Sequence, residues 1–178
     1  MDNIMPMGTT DRHNELINSF IADIFSLVRK KEVRALQSDC ALVHYGEKNK
    51  NDLIRLVDIN DIDNREKFIE TTIYELDYVQ PDFFFFKDNP YLRNERGTRT
   101  AGYPDLVVEV WSDSNDNLHR MQKTELYSSS PLTEHWYIEQ DSNVVECYLG
   151  KTKLFNQYLT EILETQKGLK FDLRYLTL

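Results

Sequence analysis

Two acids in this chain stand where carboxylates are rarely placed without a use. Asp82 precedes the four-phenylalanine run of "VQPDFFFF", and Glu109 lies inside the β-branched stretch of "YPDLVVEVWS". An ionised side chain set among Val107, Val108, Val110 and Trp111 is costly unless a partner or a metal compensates it. Two carboxylates converging at one sheet edge could hold a hard divalent cation. Such a cation neutralises charge developing on phosphodiester oxygens and lowers the pKa of bound water. A lysine nearby would orient the attacking water and stabilise the transition state electrostatically. Lys123, in "NLHRMQKTELY", lies on a helical segment that can fold back over the strand ends.

Each residue also has a plainer explanation. Pro-Asp pairs are common in turns, so Asp82 after Pro81 could merely open a strand. Glu109 could be a structural ion pair with Lys123, which would keep the geometry and remove the chemistry. Asp105, earlier on the strand of Glu109, reads as a strand-start residue or a supporting acid. Ser112 and Ser114 are helix caps rather than nucleophiles, because no G-x-S-x-G is present. Cys40 and Cys147 belong to no CxxC or Cys/His cluster, which points to ordinary buried thiols.

The elements that must position these groups follow an α/β order. "HNELINSFIADIFSLVRK" places Leu16, Phe20, Ile21, Ile24, Leu27 and Val28 at helical spacing, with Thr10 or Asp11 as N-cap. "VRALQSDCALVHYG" reads as a strand or strand pair. Loops are expected over 46–50 and 58–67 around a short strand at Leu53 to Val57, a region read as an insertion in which "EKFIETTIYELDYV" is assigned to no element. Phe83 to Phe86 suit a strand covered on both faces, and Leu106 to Trp111 form the next. Between them, "KDNPYLRNERGTRTAGY" reads as an exposed loop, with Arg93, Arg96 and Arg99 solvated or lining a groove. After Trp111, "SDSNDN" offers helix caps, and Leu118, Met121, Leu126 and Tyr127 give a partly apolar helix on which Lys123 and Tyr127 share a face. "EHWYIEQ" and "VVECYLG", joined by Asp141-Ser142-Asn143, predict a β-hairpin.

Length and composition predict one domain over residues 1–178, since 40% apolar and 12% aromatic residues suffice for a core. Neither a signal peptide nor a membrane span is read, so the expected compartment is the cytoplasm. The net charge of −9 supplies no bulk positive field for nucleic acid, although a carboxylate metal site contributes to that balance by design.

Five stretches together resemble the Uma2 (DUF820) group of endonucleases in the PD-(D/E)XK superfamily: "GTTDRHNELI", "ALQSDCALV", "YVQPDFFFF", "PDLVVEVWSDS…K…Y…EHWYIE" and "GLKFDLRYL". Glu109, Ser112, Lys123, Tyr127, Glu134 and Trp136 fall at the spacing of that group's pattern. The resemblance implies an α/β restriction-endonuclease-like fold, a central mixed β-sheet flanked by helices. It implies Mg²⁺- or Mn²⁺-dependent cleavage of DNA with Asp82, Glu109 and Lys123 as catalytic residues, the two acids being the metal ligands. In the superfamily the lysine normally lies two residues after the second acid, a place Trp111 takes here, so Lys123 on the following helix supplies the ammonium instead. His13 matches the group's "HN" as a supporting residue, while His119 and His135 replace a usual aspartate and tyrosine. A homodimer is expected, with "FFFF" and "HWYI" as exposed aromatics. The alternative is a catalytically inactive protein of the same fold, serving as a nucleic-acid-binding or protein-interaction module.

Overall fold

The computed structural model describes residues 11–30, 35–38, 41–44, 79–89, 91–93, 99–112 and 115–174. Helix α1 (Asp11–Arg29) opens with an acid and closes with a base, which suits the helix dipole. Its buried stripe is Leu16, Ile17, Phe20 and Ile24, the spacing of one helix face. The expected short strand at 53–57, the loops around it and the unassigned stretch up to Tyr78 lie outside the described residues.

The main sheet contains β1 (Ala35–Ser38), β3 (Phe83–Phe86), β6 (Leu106–Trp111), β7 (Glu134–Glu139), β8 (Val144–Leu149) and β9 (Thr152–Tyr158), in that spatial order. Among the described strands of this sheet only β6 and β7 are parallel neighbours, and helix α2 (Asn117–Ser128) makes the crossover between them. All other ladders in this sheet are antiparallel. The sheet is therefore mixed, as expected. The predicted hairpin is β7–β8, and Asn143 in its turn takes a left-handed φ of 55°, a conformation that asparagine tolerates. A short hairpin, β10 (Ile162–Glu164) with β11 (Lys170–Asp172), follows.

The segment read as one strand or a strand pair divides between two sheets. β1 joins the main sheet, whereas β2 (Ala41–His44) runs parallel to β5 (Arg99–Gly102) in a second sheet that β4 (Tyr91–Arg93) completes. This corrects the expectation of a loop between Phe86 and Leu106. Thr100 and Ala101 are fully buried in β5, so turn-forming composition concealed two strands whose pairing is partly non-local. Residues 94–98, including Arg96, lie outside the description.

Strand alternation explains the phenylalanine run. Phe83 and Phe85 join Phe20, Val108, Val110, Trp136 and Phe171 on the α1 face of the sheet, while Phe84 and Phe86 join Val107, Tyr127 and Tyr137 on the α2 face. The four phenyl rings and His135 to Ile138 are all buried. These residues are therefore not the exposed dimer surface expected from sequence. The predicted partly apolar helix is α2, where Leu118 and Met121 are 61% and 68% exposed and Tyr127 is the buried apolar contact.

Candidate active site

The β3–β6 register ends at the pair Phe83–Val108, so Asp82 and Glu109 are the residues that follow this last pair, one on each chain segment. β3 ends here because Pro81 has no N–H to extend the ladder. Beyond that end the N–H of Val110 donates to Asp82 Oδ2 at 2.7 Å. The other oxygen, Oδ1, lies 3.1 Å from Nε2 of His13 in the first turn of α1. One carboxylate thus ties α1 to the edge of β6.

Glu109 is 1% exposed and both of its oxygens are engaged from α2. Lys123 Nζ donates to Oε2 at 2.7 Å, and Tyr127 Oη donates to Oε1 at 2.6 Å. The four-residue spacing seen in sequence places these two donors on one helix face. Lys123 also donates to the Gln80 carbonyl at 3.1 Å, so the ammonium bridges the buried acid and the segment leading to Asp82. That backbone acceptor has no signature in the sequence.

The N-terminal half of α2 is fixed over the strand ends by Asp116 and Arg120. Asp116 caps the helix by accepting from Leu118 N at 3.1 Å. Arg120 binds Glu139 at 2.7 Å, donates to the Ser112 carbonyl, and lies 4.9 Å over the Trp111 ring. Trp111 in turn stacks on Tyr137 at 4.3 Å. Trp111 therefore helps to anchor the helix that carries the ammonium.

Burial raises the pKa of Glu109 to about 7; Lys123 and Tyr127 pull it down, while the charge of Asp82 pushes it up. The Asp82 charge thus adds to the cost of ionising Glu109. Burial against Glu109 likewise raises the Tyr127 phenol well above its ordinary range, so it acts as a hydrogen-bond donor.

Other candidates lie elsewhere. Asp105 sits at the opposite end of β6, where Oδ2 accepts from the N–H groups of Lys87, Asp88 and Asn89 at 2.6, 3.1 and 3.1 Å and Oδ1 pairs with Lys167. It closes the bend after β3 and has no part in the Glu109 cluster. His135 is buried, with Nδ1 2.7 Å from Tyr137 Oη and Nε2 2.9 Å from the Gly150 carbonyl. Burial drives its pKa down to about 4, so the neutral ring donates from Nε2 and accepts at Nδ1. Glu134 accepts from Trp136 Nε1, Cys147 Sγ and Gln166 N at 2.7, 3.2 and 2.8 Å, which anchors the β10–β11 hairpin. Cys147 is accordingly a buried thiol. Cys40 lies outside the described residues.

The oxygen donors of Asp82 and Glu109 are hard ligands whose mutual repulsion a divalent cation would relieve, and Mg²⁺ commonly binds through one or two carboxylates while keeping several waters. Among the described residues no group of three or more His, Cys, Asp or Glu is gathered to hold a metal. The residues present therefore fit a lightly ligated Mg²⁺ or Mn²⁺ better than a fully protein-caged ion.

This mixed sheet, flanked by helices and carrying paired acids on adjacent strands, defines a restriction-endonuclease-like fold. The sequence model of the Uma2 family, described as "Putative restriction endonuclease", matches residues 53–174, and the chain belongs to that family. A crystal structure from Anabaena variabilis ATCC 29413, described as "a putative nuclease belonging to DUF820", aligns over 100% of this chain and 87% of its own with a TM-score of 0.60 and 14% identity. That is a likeness of fold. No curated protein matches.

Proposed function

We propose that this chain is a metal-dependent endonuclease that hydrolyses DNA phosphodiester bonds, with Asp82 and Glu109 as cation ligands and Lys123 as the ammonium at the reacting phosphate. The carrying observation is the meeting of Lys123 with the buried Glu109 at 2.7 Å. Buried charged clusters with a raised carboxylate pKa concentrate at functional sites. When bound, Mg²⁺ or Mn²⁺ supplies charge neutralisation and a more acidic water. Val110 and His13 hold Asp82 in place, and Tyr127 holds Glu109. Lys123 has three N–H donors. Two contact Glu109 and Gln80, which leaves the third for a phosphate oxygen or the attacking water.

The second reading is an inactive module of the same fold. The closed Glu109–Lys123 pair and the net charge of −9 favour it. Nicking of supercoiled plasmid in Mg²⁺, Mn²⁺ and chelator separates the two. Metal-dependent nicking by wild type, lost in Glu109→Gln, supports the enzyme; a protein that binds no cation and cuts nothing is the module. The active species in our proposal is a cytoplasmic homodimer, in which two sites cut two strands. Light scattering that returns one 21.1 kDa chain would remove the dimer. No helix among the described residues is long and apolar enough to cross a membrane.

A further inference from the structure

We propose that His119 is a further catalytic residue of this site, the proton acceptor for the attacking water; the inference rests on the phosphodiester-hydrolysis reading. His119, Lys123 and Tyr127 follow one another at four-residue steps on α2. Each step turns the helix by about 40° and climbs roughly 6 Å, so the three side chains lie within an arc of about 80°. Exposure grades along this stripe. Tyr127 is fully buried against Glu109, the Lys123 side chain is 13% exposed, and His119 is open to solvent. The imidazole therefore stands at the mouth of the site, one turn outward from the ammonium.

Asp82, which belongs to the segment entering β3, acts electrostatically on this imidazole, as do Lys123 and Asp116 of its own helix. Lys123, four residues further on, reaches Glu109 and the Gln80 carbonyl, and the offset of His119 from it by about 40° keeps the imidazole on the side of α2 that overlooks the acids. His13 approaches Asp82 from α1, but its Nε2 is already engaged there at 3.1 Å. His119 is the imidazole at this mouth with room to receive a proton and return it to solvent. Partial burial and the Lys123 charge hold its pKa below the ordinary 6.5, against the opposing pull of Asp116 and Asp82. It is therefore neutral at pH 7, the form that accepts a proton.

The step balances. The water oxygen bonds to phosphorus, the water proton passes to the imidazole, and the bond from phosphorus to the leaving sugar oxygen breaks. The leaving oxygen takes a proton from solvent, and the imidazolium releases one to solvent. The products are a phosphomonoester and an alcohol.

The test uses the full chain in two arms. In metal-free protein, NMR titration of the His119 ring should show a pKa that rises in Lys123→Ala, where a repelling cation is lost, and falls in Asp82→Asn, where an attracting anion is lost. In plasmid nicking with Mg²⁺, His119→Ala should lower the rate about 100-fold with unchanged DNA binding in chelator. Its acid limb should lose one proton's dependence, with partial recovery on adding imidazole to the buffer or in His119→Asp, which restores a basic oxygen. A ring pKa unmoved by both substitutions, or His119→Ala nicking with the wild-type rate and pH profile, overturns the inference alone if wild type cuts and Lys123→Ala does not. Wild type that cuts nothing overturns the hydrolysis reading and this inference together.

Discussion

Glu109 Oε2 and Lys123 Nζ meet at 2.7 Å where the carboxylate is 1% exposed, and the pair joins the middle of a central strand to the crossover helix. Desolvation exceeds what the ammonium and the Tyr127 phenol return, so Glu109 titrates near 7 rather than in the ordinary carboxylate range. The site thus holds a carboxylate at the edge of ionisation, poised so that one additional positive charge would fix it as the anion.

Glu109→Gln tests that balance. The folded pKa is raised from 4.5 to about 7, so the folded state binds the extra proton between those values. The stabilisation from this group is fully present below 4.5 and is lost as pH rises through 7, a change of about 3 kcal/mol. Glutamine removes the titration, and its amide still meets both neighbours because the Tyr127 hydroxyl can accept as well as donate. The expected result of urea denaturation is a variant that gains on wild type steadily from pH 4.5 to 8, with metal-dependent nicking abolished. His135, held near 4, works in the opposite direction: its contribution is lost as pH falls from 6.5 through 4. It does so in both proteins, so the difference between them isolates Glu109. A gap that stays constant with pH would refute the burial account.

Lys123→Ala leaves a buried carboxylate without its cation. The expected cost is about 3–5 kcal/mol at pH 8, falling toward pH 5 as Glu109 takes up a proton. The double variant Glu109→Gln/Lys123→Ala should recover most of that loss at pH 8, because no charge is then stranded. Chemical denaturation at the two pH values measures this, and an equal loss in single and double variants would place the effect in packing of the lysine stem instead. Nicking by Lys123→Ala should fall by orders of magnitude while the cation still raises its melting temperature.

Much of this site was legible because it rests on local periodicity. The β-branched run around Glu109, the proline before Asp82 and the four-residue spacing of Lys123 and Tyr127 each fix a local geometry. What escaped is non-local or backbone-borne. The parallel pairing of β2 with β5 joins residues far apart in sequence, and the Gln80 carbonyl that receives Lys123 is a group every residue carries. The alternation that covers both faces of "FFFF" also leaves none of its rings for a dimer surface. Leu118 and Met121 look apolar in a helical pattern, but Arg120 and Trp111 set the rotation of α2 and leave both outside.

Divalent cations should stabilise wild type. Binding to the folded state alone contributes about 2.7 kcal/mol at a hundredfold excess over the dissociation constant, which thermal melting in Mg²⁺ or Mn²⁺ against chelator will register as an upward shift. Asp82→Asn keeps an oxygen for the Val110 N–H but loses the charge, so the shift should disappear without loss of the fold. A shift of equal size in Asp82→Asn would locate the cation elsewhere on this acidic chain.

Tyr127→Phe separates positioning from packing at Glu109. The ring volume is retained, while the 2.6 Å hydrogen bond to Oε1 is lost, at an expected cost of about 1–3 kcal/mol for a buried bond to a charged acceptor. That phenol is one of the groups drawing the Glu109 pKa down, so its removal should push the pKa higher. The acid limb of plasmid nicking should then move to higher pH, with much of the rate returning on the alkaline side where Glu109 is again ionised. A residue that served only to fill the core would lower stability and leave the pH profile in place. The measured profile decides whether Tyr127 tunes the carboxylate or merely packs beside it.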